Sequence, residues 1–134
     1  AGKSTLARKA FEAGAQVLSD DLNAVEPLSE APTVSQLPFT GEMRTRTAFD
    51  GSTSLRGIFL LQQNSAISVE CLSRIEAVAA ILSTAPFVNH GNENLDSLLT
   101  SAGSLADRVT VARFCSAKNS SFQEIRDAIT VFQE

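Results

Sequence analysis

The sequence carries no excess of positive charge, and that shortage sets the first limits on its partners. Lysine and arginine total 11 against 15 acidic residues, for a formal net charge of -4 at pH 7 and an isoelectric point near 5.0. Such a balance is ill suited to neutralising a run of nucleic-acid phosphates or to being held on an anionic membrane, so neither partner is expected. Nor does the chain contain an apolar run of membrane-spanning length, or a basic stretch leading into an apolar one of the kind that marks export. The expectation is a cytoplasmic protein. Cysteine is scarce too: Cys71 and Cys115 stand far apart, lack metal-ligand spacing, and read as buried free thiols. The single histidine, His90, lies in Asn89-His90-Gly91, which reads as a turn with no triad or metal partner close in sequence. What is present is 134 residues, 43% hydrophobic and 19% charged, sufficient for one globular domain with a modest core.

Residue patterning predicts where the elements fall. Residues 3–13 are rich in alanine, with Leu6, Ala10 and Ala13 on one face, and Gly14 stands where a left-handed helix cap belongs. A short strand is expected over 15–19 and a second extended stretch over 22–28, so that Asp20 and Asp21 fall between them in a hairpin. Pro27, Pro32 and Pro38 then favour short strands and a long excursion over 29–54. Residues 55–61 form a nearly continuous apolar run, the strongest strand signal in the chain and one that suggests burial on both faces. Another strand is expected over 66–71. Ser73-Arg74-Ile75-Glu76 and Ser121-Phe122-Gln123-Glu124 are capping-box patterns. The first opens a helix with Ile75, Val78, Ala79 and Leu82 on its apolar stripe, the second one with Phe122, Ile125, Ile129 and Phe132. Leu95, Leu98, Leu99 and Ala102 predict a further helix, and residues 109–114 a β-branched strand. The order points to a mixed α/β domain.

Two clusters carry chemistry. Ala1-Gly2-Lys3-Ser4-Thr5 reads as the second half of a G-x-x-x-x-G-K-[ST] loop, whose leading glycine and preceding strand are expected upstream of Ala1. Amides at a helix start attract phosphate, Lys3 adds a point charge, and the Ser4 hydroxyl is of the type that ligates Mg²⁺. The second cluster is the Asp20-Asp21 pair. Adjacent carboxylates repel each other and disfavour a strand, so a metal ion or a substrate hydroxyl would account for them. Both reach one site only if the backbone turns between them. Glu42, Arg44 and Arg46 would share one face of an extended segment, close to a phosphate or as ordinary surface charge. Arg56, beside Gly57 in an apolar run, either snorkels at an edge or pairs with an acid such as Asp20.

Gly2-Lys3-Ser4, one helix, and then Gly14-Ala15-Gln16-Val17-Leu18-Ser19-Asp20-Asp21 resemble the catalytic domain of the HPr kinase/phosphorylase family. The resemblance implies the phosphoenolpyruvate carboxykinase-like P-loop kinase fold, a mixed sheet with flanking helices, over residues 1–134. It also implies ATP and Mg²⁺ as cofactors and a protein or peptide substrate bearing the acceptor serine. By the same resemblance Ala1, Gly2, Lys3, Ser4 and Thr5 would hold the nucleotide, Ser4 and Asp20 the metal, and Asp21 would accept the serine proton. Ser54-Leu55-Arg56-Gly57 stands where the family carries Glu-Ile-Arg-Gly, with serine in place of a metal-binding glutamate. That departure turns the expectation away from HPr itself and towards the shorter HPr-kinase-like proteins that act on serine in other proteins or peptides. The family's catalytic histidine would precede residue 1. A chain lacking the leading amides of the loop is expected to bind ATP weakly and to be inactive alone. Two alternatives stand beside this: a small-molecule kinase of the gluconate or adenylylsulfate type, and a non-catalytic nucleotide-binding module. Homo-oligomerisation is left open.

Overall fold

The computed structural model describes residues 2–20, 23–28, 30–37, 51–84 and 95–133. Helix α1 (Lys3–Glu12) forms where its alanines and long side chains favour it. It stops at Gly14, whose φ of +89° suits only glycine well. The Gly14 N–H donates to the Phe11 carbonyl at 3.0 Å and the Ala15 N–H to that of Ala10 at 2.9 Å, the paired bonds of a Schellman cap.

Residues 15–19 join no sheet ladder, against the expectation of a strand there. Their backbone is held instead by a side chain, Gln36 Nε2 donating to the Leu18 carbonyl at 2.6 Å. The stretch after the acidic pair, β1 (Asn23–Glu26), pairs antiparallel with β2 (Thr33–Gln36), from Asn23 opposite Gln36 to Glu26 opposite Thr33. The antiparallel hairpin thus turns around Pro27 and Pro32 and not at Asp20. Strand β3 (Ser52–Ser54) adds to the free side of β2.

A second, mixed sheet has the order β4-β6-β5. Strand β4 (Gly57–Gln63) runs parallel to β6 (Thr110–Ser116) over seven residue pairs, from Gly57 opposite Thr110 to Gln63 opposite Ser116. Strand β5 (Ser68–Cys71) lies antiparallel on the other side of β6. The apolar run of β4 therefore does not occupy the middle of the sheet. Among the described residues it pairs only with β6, and Ile58 to Leu61 are half-buried. Burial on both faces belongs to β6, where Val111, Ala112, Phe114 and Cys115 are all buried and neighbouring side chains point to opposite sides. Phe114, at 0% exposure, meets Phe59 edge to face with ring centroids 6.4 Å apart.

Helices cover this sheet. Helix α2 (Arg74–Thr84) packs on α3 (Leu95–Arg108), α3 on β6, and α4 (Phe122–Gln133) on β5 and α1. Both expected serine caps are present, and the reciprocal box is complete at α4. At α2 the Glu76 N–H donates to Ser73 Oγ at 3.2 Å, and the Ser73 hydroxyl donates to Glu76 at 3.0 Å. At α4 the exchange is reciprocal, Ser121 N–H to Glu124 at 2.8 Å and Glu124 N–H to Ser121 Oγ at 3.1 Å. Ile125 is buried on the inner side of α4, as its stripe requires.

The stripe of α2 is rotated from expectation. Ala77 is its buried residue, while Ile75 is 82% exposed and Ala79 is exposed. Arg74, three residues before Ala77 and so on its face, also meets α3. Its guanidinium bonds Asp107 of α3 at 2.8 Å and lies against Gly103, where an added Cβ would come within 2.9 Å of Nη2. Cys71, expected to be buried, is exposed on the short β5, whereas Cys115 is buried; both are free thiols. Ties across the two sheets come from α3, with Ser104 Oγ donating to the Pro27 carbonyl at 3.0 Å and Arg108 Nη1 to that of Leu28 at 3.2 Å. Among the described residues the protein is thus α/β, with four helices and two three-stranded sheets, one mixed. No described helix is long and apolar enough to cross a membrane.

Two outcomes are expected. Phe114→Ala, which empties the fully buried position of the central strand, should destabilise the fold by about 3–5 kcal/mol in urea unfolding. Arg74 holds the Asp107 carboxyl below its ordinary value, chiefly by hydrogen bonding and also by charge. A depressed acid adds stability above its unfolded value of 3.8 and loses it as the pH falls through the folded value. Asp107→Asn should remove that part of the acid limb in an unfolding series between about pH 5 and pH 2, by a small, salt-sensitive amount because both partners are exposed.

Candidate active site

Helix α1 begins with Gly2 at the N-cap in a left-handed conformation, φ +98°. An added Cβ there would meet nothing within 4 Å, so the requirement for glycine is conformational and not one of space. The Leu6 N–H donates to the Gly2 carbonyl at 2.9 Å, the first bond of the helix. The amides of Lys3, Ser4 and Thr5 then stand before the helix ladder begins, as donors at its positive end. No acidic residue occupies the first turn, where a carboxylate would commonly offset that positive end; Lys3 adds to it instead.

This helix start lies at the C-terminal ends of the two parallel strands. An open cleft of ≈ 130 Å³ is walled by Gly2, Thr5, Leu6 and Lys9 of α1, by Leu61, Gln62 and Gln63 of β4, and by Ser116, Ala117 and Lys118 after β6. Ile125 of α4 forms part of its apolar side. Among the described residues the wall holds two lysines and no carboxylate. Sites for drug-sized ligands run to roughly 300–1,000 Å³, so this cleft is of a size for a phosphate group and not for a whole nucleotide. In open α/β sheets, ligands collect beyond the carboxyl ends of the parallel strands, and the cleft has that location.

Gly2, Thr5, Leu6 and Lys9 recur at helical spacing, which is why they share the cleft wall. Of the residues expected to bind nucleotide, the wall therefore takes Gly2 and Thr5. Lys3, exposed, and Ser4, half-buried, lie on adjoining faces of the same turn. Asp20 is half-buried at the bend before β1 and is not part of this wall. Asp21 and Ala1 fall outside the described residues, as do Glu42, Arg44, Arg46 and His90. Arg56 is exposed at the entry to β4, in the manner of an arginine at an edge, and its carbonyl accepts from Gln133 Nε2 at 3.0 Å.

A carboxylate-free wall and a positive helix end fit a phosphate. Among the described residues no group of three or more histidines, cysteines or acids is placed to hold a metal ion. That does not conflict with Mg²⁺ held by one or two side chains together with phosphate oxygens, the usual arrangement in phosphoryl transfer. Ser4 and Asp20 are donors of the right kind for it.

Lys9, Gln62, Gln63, Ser116 and Lys118 escaped the sequence reading. One signal was present for some of them: Gln62-Gln63 and Ser116-Ala117-Lys118 are the places where apolar strands turn polar, which marks the ends of strands on which sites are built. Lys9 gives no such signal, because it looks like any solvated lysine on an alanine-rich helix. No protein-family model, curated protein or solved structure matches the chain.

Proposed function

We propose that the protein is an ATP-dependent kinase of the HPr-kinase-like kind, with the phosphoenolpyruvate carboxykinase-like P-loop fold, transferring phosphate to a serine hydroxyl of a protein or peptide. The observation that carries the reading is the position of Gly2-Lys3-Ser4-Thr5. A left-handed glycine opens α1 with free first-turn donors, beside a carboxylate-free cleft at the C-terminal ends of β4 and β6.

In this reading the amides of Gly2 to Thr5 cradle the phosphates and the Lys3 ammonium offsets their charge. Ser4 and Asp20 would hold Mg²⁺, which supplies charge neutralisation at the phosphates when bound. Asp21 takes the proton from the acceptor serine as its oxygen bonds to the γ-phosphorus, and the bond from that phosphorus to the bridging oxygen breaks to release ADP. Such transfer asks mainly for positioning and charge, so few side chains suffice.

A second reading is a non-catalytic phosphate- or nucleotide-binding module. One observation favours it: Ser54, exposed at the end of β3, stands where the family carries a metal-binding glutamate.

Transfer from γ-labelled ATP to serine-containing peptides by the full-length protein separates these readings. Labelled peptide is expected. Lys3→Ala should abolish ATP binding or turnover, and Asp21→Asn should lower the rate by about 10²–10⁴ while leaving ATP affinity largely intact. ATP binding without transfer would establish the module, label on a sugar or nucleotide would establish a small-molecule kinase, and undiminished turnover in Lys3→Ala would remove the loop from the mechanism.

A further inference from the structure

We infer that Lys9 is a positioning residue, a strut that holds α1 in the roll and tilt that aim its N-terminus at the cleft; the inference rests on the kinase reading of that cleft. Helix α1 is ten residues long and contains no fully buried residue. A helix of that length is marginal by itself, and apolar packing grips this one weakly. Its C-terminus is closed by the cap at Gly14, but that cap bonds α1 only to itself.

Lys9 reaches out of the helix. Its Nζ donates to the Ser120 carbonyl at 2.8 Å and to the Lys118 carbonyl at 3.1 Å, both in the turn that follows β6. Ser120 is 5% exposed, and its N–H donates to the Ala117 carbonyl at 3.0 Å, so the anchor is itself a closed turn. Two of the ammonium's three N–H groups are thereby engaged by carbonyls. Geometry thus makes Lys9 a tie to the sheet and not a free cation for phosphate. Bonds from a charged donor are stronger than neutral ones, and the one to Ser120 is partly withdrawn from water.

The position of the tie decides its consequence. Lys9 lies seven residues after Gly2, about two helical turns along the same face. Fixing that face against residues 118–120 turns Gly2, Thr5 and Leu6 towards the ends of β4 and β6, where they form the cleft wall. Without the tie α1 is free to roll, and the first-turn amides no longer share one side with Gln62 and Gln63.

The test compares Lys9→Met, which keeps the stem but loses the donors, with Lys9→Arg, which keeps donors, in the full-length protein. Loss of ground-state phosphate positioning should raise KM for ATP about tenfold in Lys9→Met while kcat changes by less than about threefold. Lys9→Arg should recover most of that loss, and amide exchange over 117–121 should quicken in Lys9→Met alone. A Lys9→Met protein with wild-type KM overturns the inference, even with a lowered melting temperature, since the lysine would then serve only stability. A wild-type protein that neither binds nor turns over ATP overturns the kinase reading, and the inference with it. Wild-type transfer combined with an unchanged KM in Lys9→Met overturns the inference alone.

Discussion

Parallel pairing of β4 with β6 is the constraint on which the described architecture rests. It aligns seven residues of each strand, so both end at one level, Gln63 beside Ser116. A parallel pair needs a crossover, and here the crossover contains β5 and the α2–α3 helix hairpin. The third strand enters by the same geometry: β5 pairs with β6 on the opposite side, so the last strand in sequence is the middle one in space. Burying both faces of β6 then yields the core. Full burial of a phenylalanine side chain contributes about 1.5–3 kcal/mol, and Phe114, beside Phe59 of the neighbouring strand, is fully buried.

The functional geometry follows from the same pairing. Two parallel strands ending together leave polar residues at one level, and α1 places its amide end across them. Electrostatics agrees with that arrangement: the chain carries a net charge of -4, yet the described wall of the cleft contains no acid, and beside the positive end of α1 it contains Lys118, the ammonium of Lys9 being engaged by carbonyls. The charge available to hold a phosphate is therefore local. Elsewhere charge serves alignment, as in the cross-strand contact of Arg113 with Glu70 at 3.2 Å, where the two residues are directly opposed in β6 and β5. Arg113 also approaches Glu76 at 3.9 Å, linking the sheet to the first turn of α2.

Local structure was legible wherever a residue type has one cheap conformation. Gly14 as a left-handed cap and the serine caps of α2 and α4 follow from bonds formed within a few residues, and the existence of α1, α3, β4, β5 and β6 from the residue patterns of their own segments. Errors arose where partners had to be chosen. The stretch 15–19 is strand-like in composition but, among the described residues, joins no strand, while β1 pairs with β2. Ile75 sits at helical spacing for a core, yet Ala77 is the buried residue of α2, and Arg74 meets Gly103 and Asp107 of α3.

The candidate site divides in the same way. The chain itself determined the chemistry at the start of α1, a glycine, a lysine and two hydroxyls, because capping preference and side-chain type are local properties. It also determined the acid pair at 20–21 as a chemical resource, though not its setting. Only tertiary structure decided that Thr5 and Lys9 face Gln62, Gln63 and the 116–118 turn, since those groups are separated by more than 50 residues of chain and meet through sheet register. It also decided that Lys9 would spend its donors on carbonyls. A side chain's role of that kind depends on distances between elements, and a linear pattern contains no such distances.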